Sequence, residues 1–231
     1  MQTLTQTDTL GPADRSDTRL RRHALAAAAL VAPWFIVACN TGWAMAQAAG
    51  ASDETGADAL TAAAAHPALL RNVVLFGMLG ALLMMPAALG AARVAGRGAA
   101  RLAFVGGTLT AAGYACYQAV LLTDLTTLAM VRVGGPMVGF AAVLDARQQD
   151  ATGTWVFLLF VLGNIVGTFL LGLALWRSRS VPRWAAAAVM IWPPTHIVGL
   201  VAGVEWFEVA GAAVQAIGFA AVAVRLLRRT D

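Results

Sequence analysis

Six predominantly apolar runs, each about 20 residues long, constrain the fold of this chain more than any other feature. They cover residues of about 24–47, 72–92, 102–122, 154–176, 184–204 and 207–226. A helix of roughly 20 residues crosses the hydrocarbon core of a bilayer, which is about 30 Å thick. Only 12 % of the residues are charged, whereas a soluble domain carries about 25 %. We therefore predict an all-α fold, a polytopic transmembrane helix bundle with six spans in the lipid bilayer.

The distribution of arginine predicts the orientation of these spans. All sixteen basic residues are Arg, and thirteen of them fall in four groups, at 15–22, 93–101, 177–183 and 225–229. If cytoplasmic loops carry the excess of basic residues, both termini are cytoplasmic and the protein is multi-pass in a bacterial inner (plasma) membrane. The groups stand at the ends of apolar runs and form no basic face with interleaved aromatics, so we expect no nucleic-acid partner.

A seventh apolar segment, at 125–144, is predicted not to span. Arg132 and the sequence Gly134-Gly135-Pro136 interrupt it, and a seventh span would move the last two Arg groups to the external side. We predict an external loop over 124–153. Its apolar halves favour a short interfacial or re-entrant hairpin, packed against protein or a water-filled cavity.

The N-terminal segment lacks a hydrophobic period. Residues 1–22 are rich in Thr and Asp, which is typical of a mobile cytoplasmic tail, and the six-helix transmembrane domain then covers 23–231. An alternative is open, because the basic residues at 19–22, the apolar run and Ala44-Met45-Ala46 before Gln47 also resemble a secretory signal peptide.

Motifs of soluble enzymes are absent from the sequence. It contains no HExxH, GxSxG, Walker or CxxC pattern, each of which places particular ligands or nucleophiles in fixed geometry. We therefore expect no metal site and no cofactor. A single His within the spans also disfavours a b-type haem held by two histidines. Polar residues inside apolar runs are costly in lipid, so they are the candidates for a functional site.

The third predicted span carries a polar stripe. Thr110, Tyr114, Tyr117 and Asp124 recur at helical spacing and share one face, with Gln118 beside Tyr114. The stripe runs to the external end of the span. The alternative is two tyrosines that bond neighbouring helices and a solvated Asp124.

The fifth and sixth spans carry the other titratable candidates. The fifth contains Trp192-Pro193-Pro194-Thr195-His196, in which two prolines remove backbone donors and kink the helix. His196 is the only His within a span, and a His can accept protons near neutral pH. In the sixth span Glu208 and Gln215 share a face. The partners open to Glu208 are Arg71, Arg132 and His196.

Most of these polar positions fall in the external halves of the spans, which predicts an outward-facing cavity. The residues expected to line it are Asn40, Tyr114, Tyr117, Gln118, Asn164, Trp192, His196, Glu208 and Gln215. The pair Gly163-x3-Gly167 beside Asn164 favours a close helix contact over a site. Cys39 and Cys116 are predicted at similar depth but act as small buried groups rather than as a disulfide.

Three functions remain open. The first is binding or transport of a small amphipathic or lipid-like ligand in the external cavity. The second is a membrane-embedded enzyme in which His196 and either Glu208 or Asp124 form an acid–base pair, which requires hydrogen-bond reach between them. The third is an accessory subunit whose glycine faces bind another membrane protein or a second copy of the chain.

The run Leu170–Trp184, LLGLALWRSRSVPRW, carries one resemblance. It resembles a feature of uncharacterised multispanning membrane proteins of GC-rich bacteria, in which a Gly-rich span ends in an Arg-containing loop and a Pro-Arg pair starts the next helix. Pro182 suits the start of a helix. The resemblance implies a multispanning fold and carries over no functional residues.

Overall fold

The computed structural model describes residues 12–228, with side chains from residue 17 onward, and the regular elements in that range are all helices. They are α1 (Pro12–Ala48), α2 (Gly56–Ala65), α3 (Pro67–Val133), α4 (Met137–Gln149), α5 (Ala151–Leu162), a π-helical turn (Gly163–Gly167), α6 (Thr168–Ser178), α7 (Arg183–Ala202) and α8 (Trp206–Arg228). Five helices in this part of the chain are long and apolar enough to cross a membrane, with α5, the π turn and α6 counted as one. The all-α prediction is confirmed, and these helices agree with a membrane bundle.

Helix α3 is two antiparallel arms joined at Ala99. Its 67 residues would measure about 100 Å if straight, but Ala99 has non-helical dihedrals (φ −150°, ψ 50°) and the chain folds back there. The Gln118 amide donates to the carbonyl of Met78 over 2.9 Å, joining the arm 100–133 to the arm 67–98. Nearer the turn, a Cβ on Gly107 would lie 2.6 Å from that of Ala92.

The long helices form a closed ring. Helix α1 packs against α3 and α8, α8 against α7, α7 against α6, and α6 back against α3. Small residues dominate the centre, and Ala29, Ala32, Ala81 and Ala88 are completely buried. In lipid the hydrophobic effect does not drive helices together, so close packing of small residues is what holds such a ring.

Glycines bring α3 and the α5–α6 rod into backbone contact. A Cβ on Gly106 would lie 2.5 Å from the Leu171 nitrogen, and one on Gly113 would lie 2.8 Å from the Cα of Gly163. The predicted helix contact through Gly163 and Gly167 is thereby confirmed. The contact coincides with the π turn, a widened helical turn that proteins rarely use.

The bundle has two chemically distinct ends. At the end we call the arginine end (residues 97–101, 177–183 and 225–228), Gly98 packs against Ser178 and Gly90 against Leu226. At the opposite end, called the acidic end (47–66, 124–150 and 203–208), the Gly56 amide donates to Asp145 over 2.6 Å. Chain segments that are far apart in sequence are thus fastened at both ends.

Two segments that were predicted to lie outside the spans, the loop 124–153 and the tail 1–22, contain helix in the structure. The segment 124–153 is helical over most of its length, because α3 continues to Val133 and α4 follows the turn at Gly134-Gly135-Pro136. Residues 12–22 of the predicted tail are also helical and continuous with α1; residues 1–11 lie outside the described residues. In both segments the helix continues beyond the apolar run, and hydrophobicity alone does not predict such an extension.

Candidate functional site

The α7–α8 hairpin brings His196 and Glu208 together. Gly203 ends α7 in a left-handed conformation (φ 64°), and its amide donates to the carbonyls of Gly199 and Leu200. The chain reverses within three residues, so residues on either side of the turn face each other. His196 Nδ1 lies 2.6 Å from Glu208 Oε1. Of the three partners open to Glu208 from the sequence, the histidine is the one that the structure places beside it.

The imidazole of His196 is held from a second side by an indole. Its ring stacks on Trp192, one turn earlier in α7, with ring centroids 4.8 Å apart and planes 18° apart. The His196 side chain is 17 % exposed and that of Glu208 11 %. The pair is an ion-pair contact by distance, but the ring N–H is not aligned with the carboxylate as a hydrogen bond requires. The two side chains are therefore close together and largely shielded from solvent, and stacking on Trp192 fixes the orientation of the imidazole.

Glu205 in the hairpin turn adds a second carboxylate. Burial, and after it the neighbouring Glu208 carboxylate, raises the pKa of Glu205 to about 7, although the nearby His196 acts in the opposite direction. The backbone N–H of Glu205 donates to Gln47 Oε1 over 3.3 Å, which ties the turn to the end of α1. Burial therefore favours the protonated form of Glu205, beside the His196–Glu208 pair.

The double proline of α7 removes the backbone donors that would otherwise reach the carbonyls of Val189 and Met190, one turn earlier. The Thr195 hydroxyl donates to two different carbonyls, those of Ile191 (3.0 Å) and Trp192 (2.8 Å). Gly211 of α8 packs directly against Thr195, without space for a side chain. This contact positions α8 against the segment that carries Trp192 and His196.

A second polar cluster joins α1 to α3. The Cys39 sulfur lies 3.6 Å from the Tyr117 hydroxyl, and the Tyr117 ring stacks on Phe160 with centroids 4.6 Å apart. Tyr114, one turn earlier, is fully buried. Both cysteines are free thiols, as predicted.

Several buried donors near these clusters have no hydrogen-bond partner among the described residues. They are the side-chain nitrogens Asn40 Nδ2, Trp192 Nε1 and Gln215 Nε2. An unsatisfied buried donor costs about 1–3 kcal/mol, and native proteins seldom leave one without a partner. These donors belong to α1, α7 and α8, three successive helices of the ring.

Other predicted residues have different roles in the structure. The amide of Asn164 donates to the Phe160 carbonyl over 3.1 Å, within its own helix, and Gln118 bonds across the arms of α3. Asp124 is exposed and does not contact His196. Arg71 and Arg132 are exposed, and neither forms an ion pair in the part of the chain that the structure describes.

Sequence reasoning did not select Glu205 or Gln47 for the site. Glu205 stands three residues before Glu208, a spacing that places two side chains on neighbouring positions of a helical surface, and this signal was available. Gln47 offered none, because its contact with Glu205 joins residues 158 apart in sequence. Within residues 17–228, no group of three or more His, Cys, Asp or Glu side chains is arranged to hold a metal ion.

The arrangement can bind and release protons and can donate hydrogen bonds to an acceptor that enters the acidic half of the bundle. Comparisons with known proteins give no further guidance: the chain matches no protein family, no curated protein and no solved structure.

Proposed function

We propose that this chain is a six-span protein of the bacterial plasma membrane with both termini in the cytoplasm. The fold-back of α3 at Ala99 supports six crossings, because each arm exceeds the roughly 20 residues that a crossing needs. The arginine end would face the cytoplasm under the positive-inside rule. The acidic end, with α2 and α4, would then lie outside.

The orientation is tested by labelling single cysteines in intact cells. In a background with Cys39 and Cys116 replaced by Ala, a cysteine at Ala57 or Gln149 should react with a membrane-impermeant maleimide. A cysteine at Ala100 should react only after the cells are opened. All three positions are exposed. If Ala100→Cys alone were labelled in intact cells, the proposed orientation would be wrong and the arginine end would lie outside.

The function that we propose is binding of a small amphipathic or lipid-like ligand in the outer half of the bundle, with transport as its extension. The observation that carries it is the group of unpartnered buried donors of Asn40, Trp192 and Gln215. The close pair His196–Glu208 stands next to Trp192. A ligand with an apolar body and an acceptor such as a carbonyl, hydroxyl or phosphate oxygen would satisfy these donors. The surrounding aliphatic and aromatic side chains would hold its apolar part.

Removing the donors separates a ligand site from a packing defect. The protein is purified in a mild detergent, and the small molecules and lipids that it retains are identified by mass spectrometry. Gln215→Leu and Trp192→Phe remove a donor at similar volume and should abolish retention of the bound compound. Gln148→Leu, on the exposed face of α4, is the matched control and should retain it.

In the ligand-free protein, the loss of a donor should be favourable and raise the stability of the bundle. If nothing else satisfies the donor, Gln215→Leu relieves an unpaired buried amide and stabilises the empty bundle by about 1–3 kcal/mol. Equal retention by wild type and both donor variants would refute the binding site, as would the absence of any compound above the control level.

A membrane-embedded enzyme is the second candidate, favoured by the 2.6 Å contact between His196 and Glu208. In an enzyme, stacking on Trp192 would orient the imidazole, and His196 or Glu208 would take or give the proton. No Ser, Thr or Cys side chain hydrogen-bonds to His196 Nδ1 in the described residues, so acid–base chemistry on a bound substrate fits better than acyl transfer. Glu208→Gln should then leave ligand retention intact and stop its turnover.

A further inference from the structure

A groove of about 660 Å³ opens at the arginine end, at the opposite end of the bundle from the site described above. Its walls come from the loop between α6 and α7, the first turn of α7 and the last three turns of α8. These segments are adjacent because α7 and α8 pack as a hairpin, with Gly218 of α8 against Ala185 and Val189 of α7.

Three arginines line this groove. Arg179 comes from the loop, and Arg225 and Arg228 come from α8; all three are exposed. The lining contains no Asp or Glu, and none of the three arginines has an ion-pair partner within the described ranges. By contrast, nearby Arg183 packs over the Trp176 ring at 5.6 Å and is engaged elsewhere.

The other face of the groove is apolar. Trp184, Ile217 and Val224 line it and are 58 %, 50 % and 46 % exposed. Along α8, Ile217 and Val224 lie two turns apart and lead from the arginines toward the middle of the bundle. A molecule that fills the groove would thus meet cations at one end and hydrocarbon at the other.

The loop that presents Arg179 has a fixed conformation. Arg179 ends α6 in a left-handed conformation (φ 50°). The hydroxyls of Ser178 and Ser180 hydrogen-bond at 2.8 Å, and that of Ser178 donates to the Leu175 carbonyl. A Cβ on Gly98, at the turn of α3, would lie 2.8 Å from the Ser178 Cα. The start of α7 has no side-chain cap, and Pro182 and Trp184 at this start line the groove.

We propose that this groove binds an anionic phospholipid. The phosphate would lie among Arg179, Arg225 and Arg228, and one acyl chain would run along Ile217 and Val224. Charge complementarity carries this choice. A concave surface with an apolar floor and three guanidinium groups that have no ion-pair partner among residues 17–228 fits a negatively charged headgroup with its hydrocarbon attached. The site is independent of the ligand site proposed for the acidic half.

The test compares retention of phosphatidylglycerol and phosphatidylcholine. Purified protein in detergent micelles with equal amounts of both lipids is analysed by native mass spectrometry, which counts bound lipids. Each arginine near an anionic surface contributes about fivefold to affinity, so Arg225→Gln with Arg228→Gln should weaken phosphatidylglycerol binding by about 25-fold. Arg179→Gly should weaken it about fivefold and keep the loop, since glycine accepts a positive φ.

Arg97→Gln with Arg101→Gln is the matched control, because both residues are exposed at the same end but do not line the groove. This control should bind phosphatidylglycerol as wild type does, and all variants should keep the thermal stability of wild type in phosphatidylcholine alone. If the control lost as much phosphatidylglycerol binding, binding would depend on general surface charge, and the proposed site would be wrong. Unchanged binding after removal of Arg225 and Arg228 would overturn it too, as would inorganic phosphate competing as well as the lipid.

Discussion

The contact of Gly106 with α6 allows one packing prediction to be worked through in detail. A Cβ at residue 106 would lie 2.5 Å from the Leu171 nitrogen and 2.9 Å from the Leu170 carbonyl carbon. Both are backbone atoms of α6, so no side-chain rotation can relieve the clash. To reach an ordinary contact of 3.4 Å, the arm 100–133 must move away from α6 by about 0.9 Å, a shift that closely packed interiors resist.

The expected cost of Gly106→Ala follows from two opposing effects. Overpacking of this kind destabilises by about 1–3 kcal/mol, whereas Ala in place of Gly within a helix stabilises by about 1 kcal/mol. The matched control is Gly96→Ala in the same helix, because a Cβ there meets no atom within 4 Å. The helix-propensity effect is common to both variants, so Gly106→Ala should be less stable than Gly96→Ala by about 1–3 kcal/mol.

The assay is reversible unfolding of the purified protein in mixed micelles with increasing SDS mole fraction, followed by tryptophan fluorescence and far-UV circular dichroism. Gly96→Ala should match or exceed the stability of wild type. If the two variants unfold at the same SDS fraction, the backbone contact between α3 and α6 does not hold the ring together, and the packing argument fails.

Two further predictions concern titrating groups outside the spans. Glu205 binds its proton more tightly in the folded protein, because its pKa is about 7 against an ordinary 4.5. Its contribution to stability should therefore fall as pH rises from about 4.5 to about 7 and stay level above that range. Thermal unfolding across this range should show a smaller loss for Glu205→Gln, and an identical profile would contradict the burial of Glu205. Asp150 caps α5, since its carboxylate accepts from the amides of Gly153 and Thr152; these bonds lower its pKa below the ordinary 3.8. Asp150→Ala should unfold at lower temperature than wild type at neutral pH. Its difference from wild type should shrink as pH falls through the lowered pKa, while Asp150→Asn, which keeps an acceptor, should lie between them.

The helical content follows from the sequence, and the pairing of α7 with α8 follows with it. Apolar runs separated by a turn of three residues give a helical hairpin, and here Gly203 ends α7 while α8 begins at Trp206. His196 lies seven residues before Gly203 and Glu208 only two residues after Trp206, so equal distance from the turn does not select this pair. The sequence therefore left Arg71, Arg132 and His196 open as partners of Glu208, and the structure places His196 beside it.

Features that depend on distant segments could not be predicted in this way. The bond between Gly56 and Asp145 joins α2 to α4 across 89 residues, and the groove around Arg179 and Arg225 depends on how two hairpins close into a ring. Local hydrophobicity reports whether a segment is apolar and does not report which segment it meets.

The turn at Ala99 has a consequence for proteolysis. A protease holds several residues of its substrate in extended form, so cleavage of a helix requires local unfolding. Around the reversal of α3 only Ala99 leaves the helical conformation. Arg97 and Arg101 lie on its two sides in helical backbone. Trypsin should therefore cut this exposed turn slowly even in opened membranes. Protection of these arginines from trypsin would then report the stiffness of the turn and not the side of the membrane on which it lies.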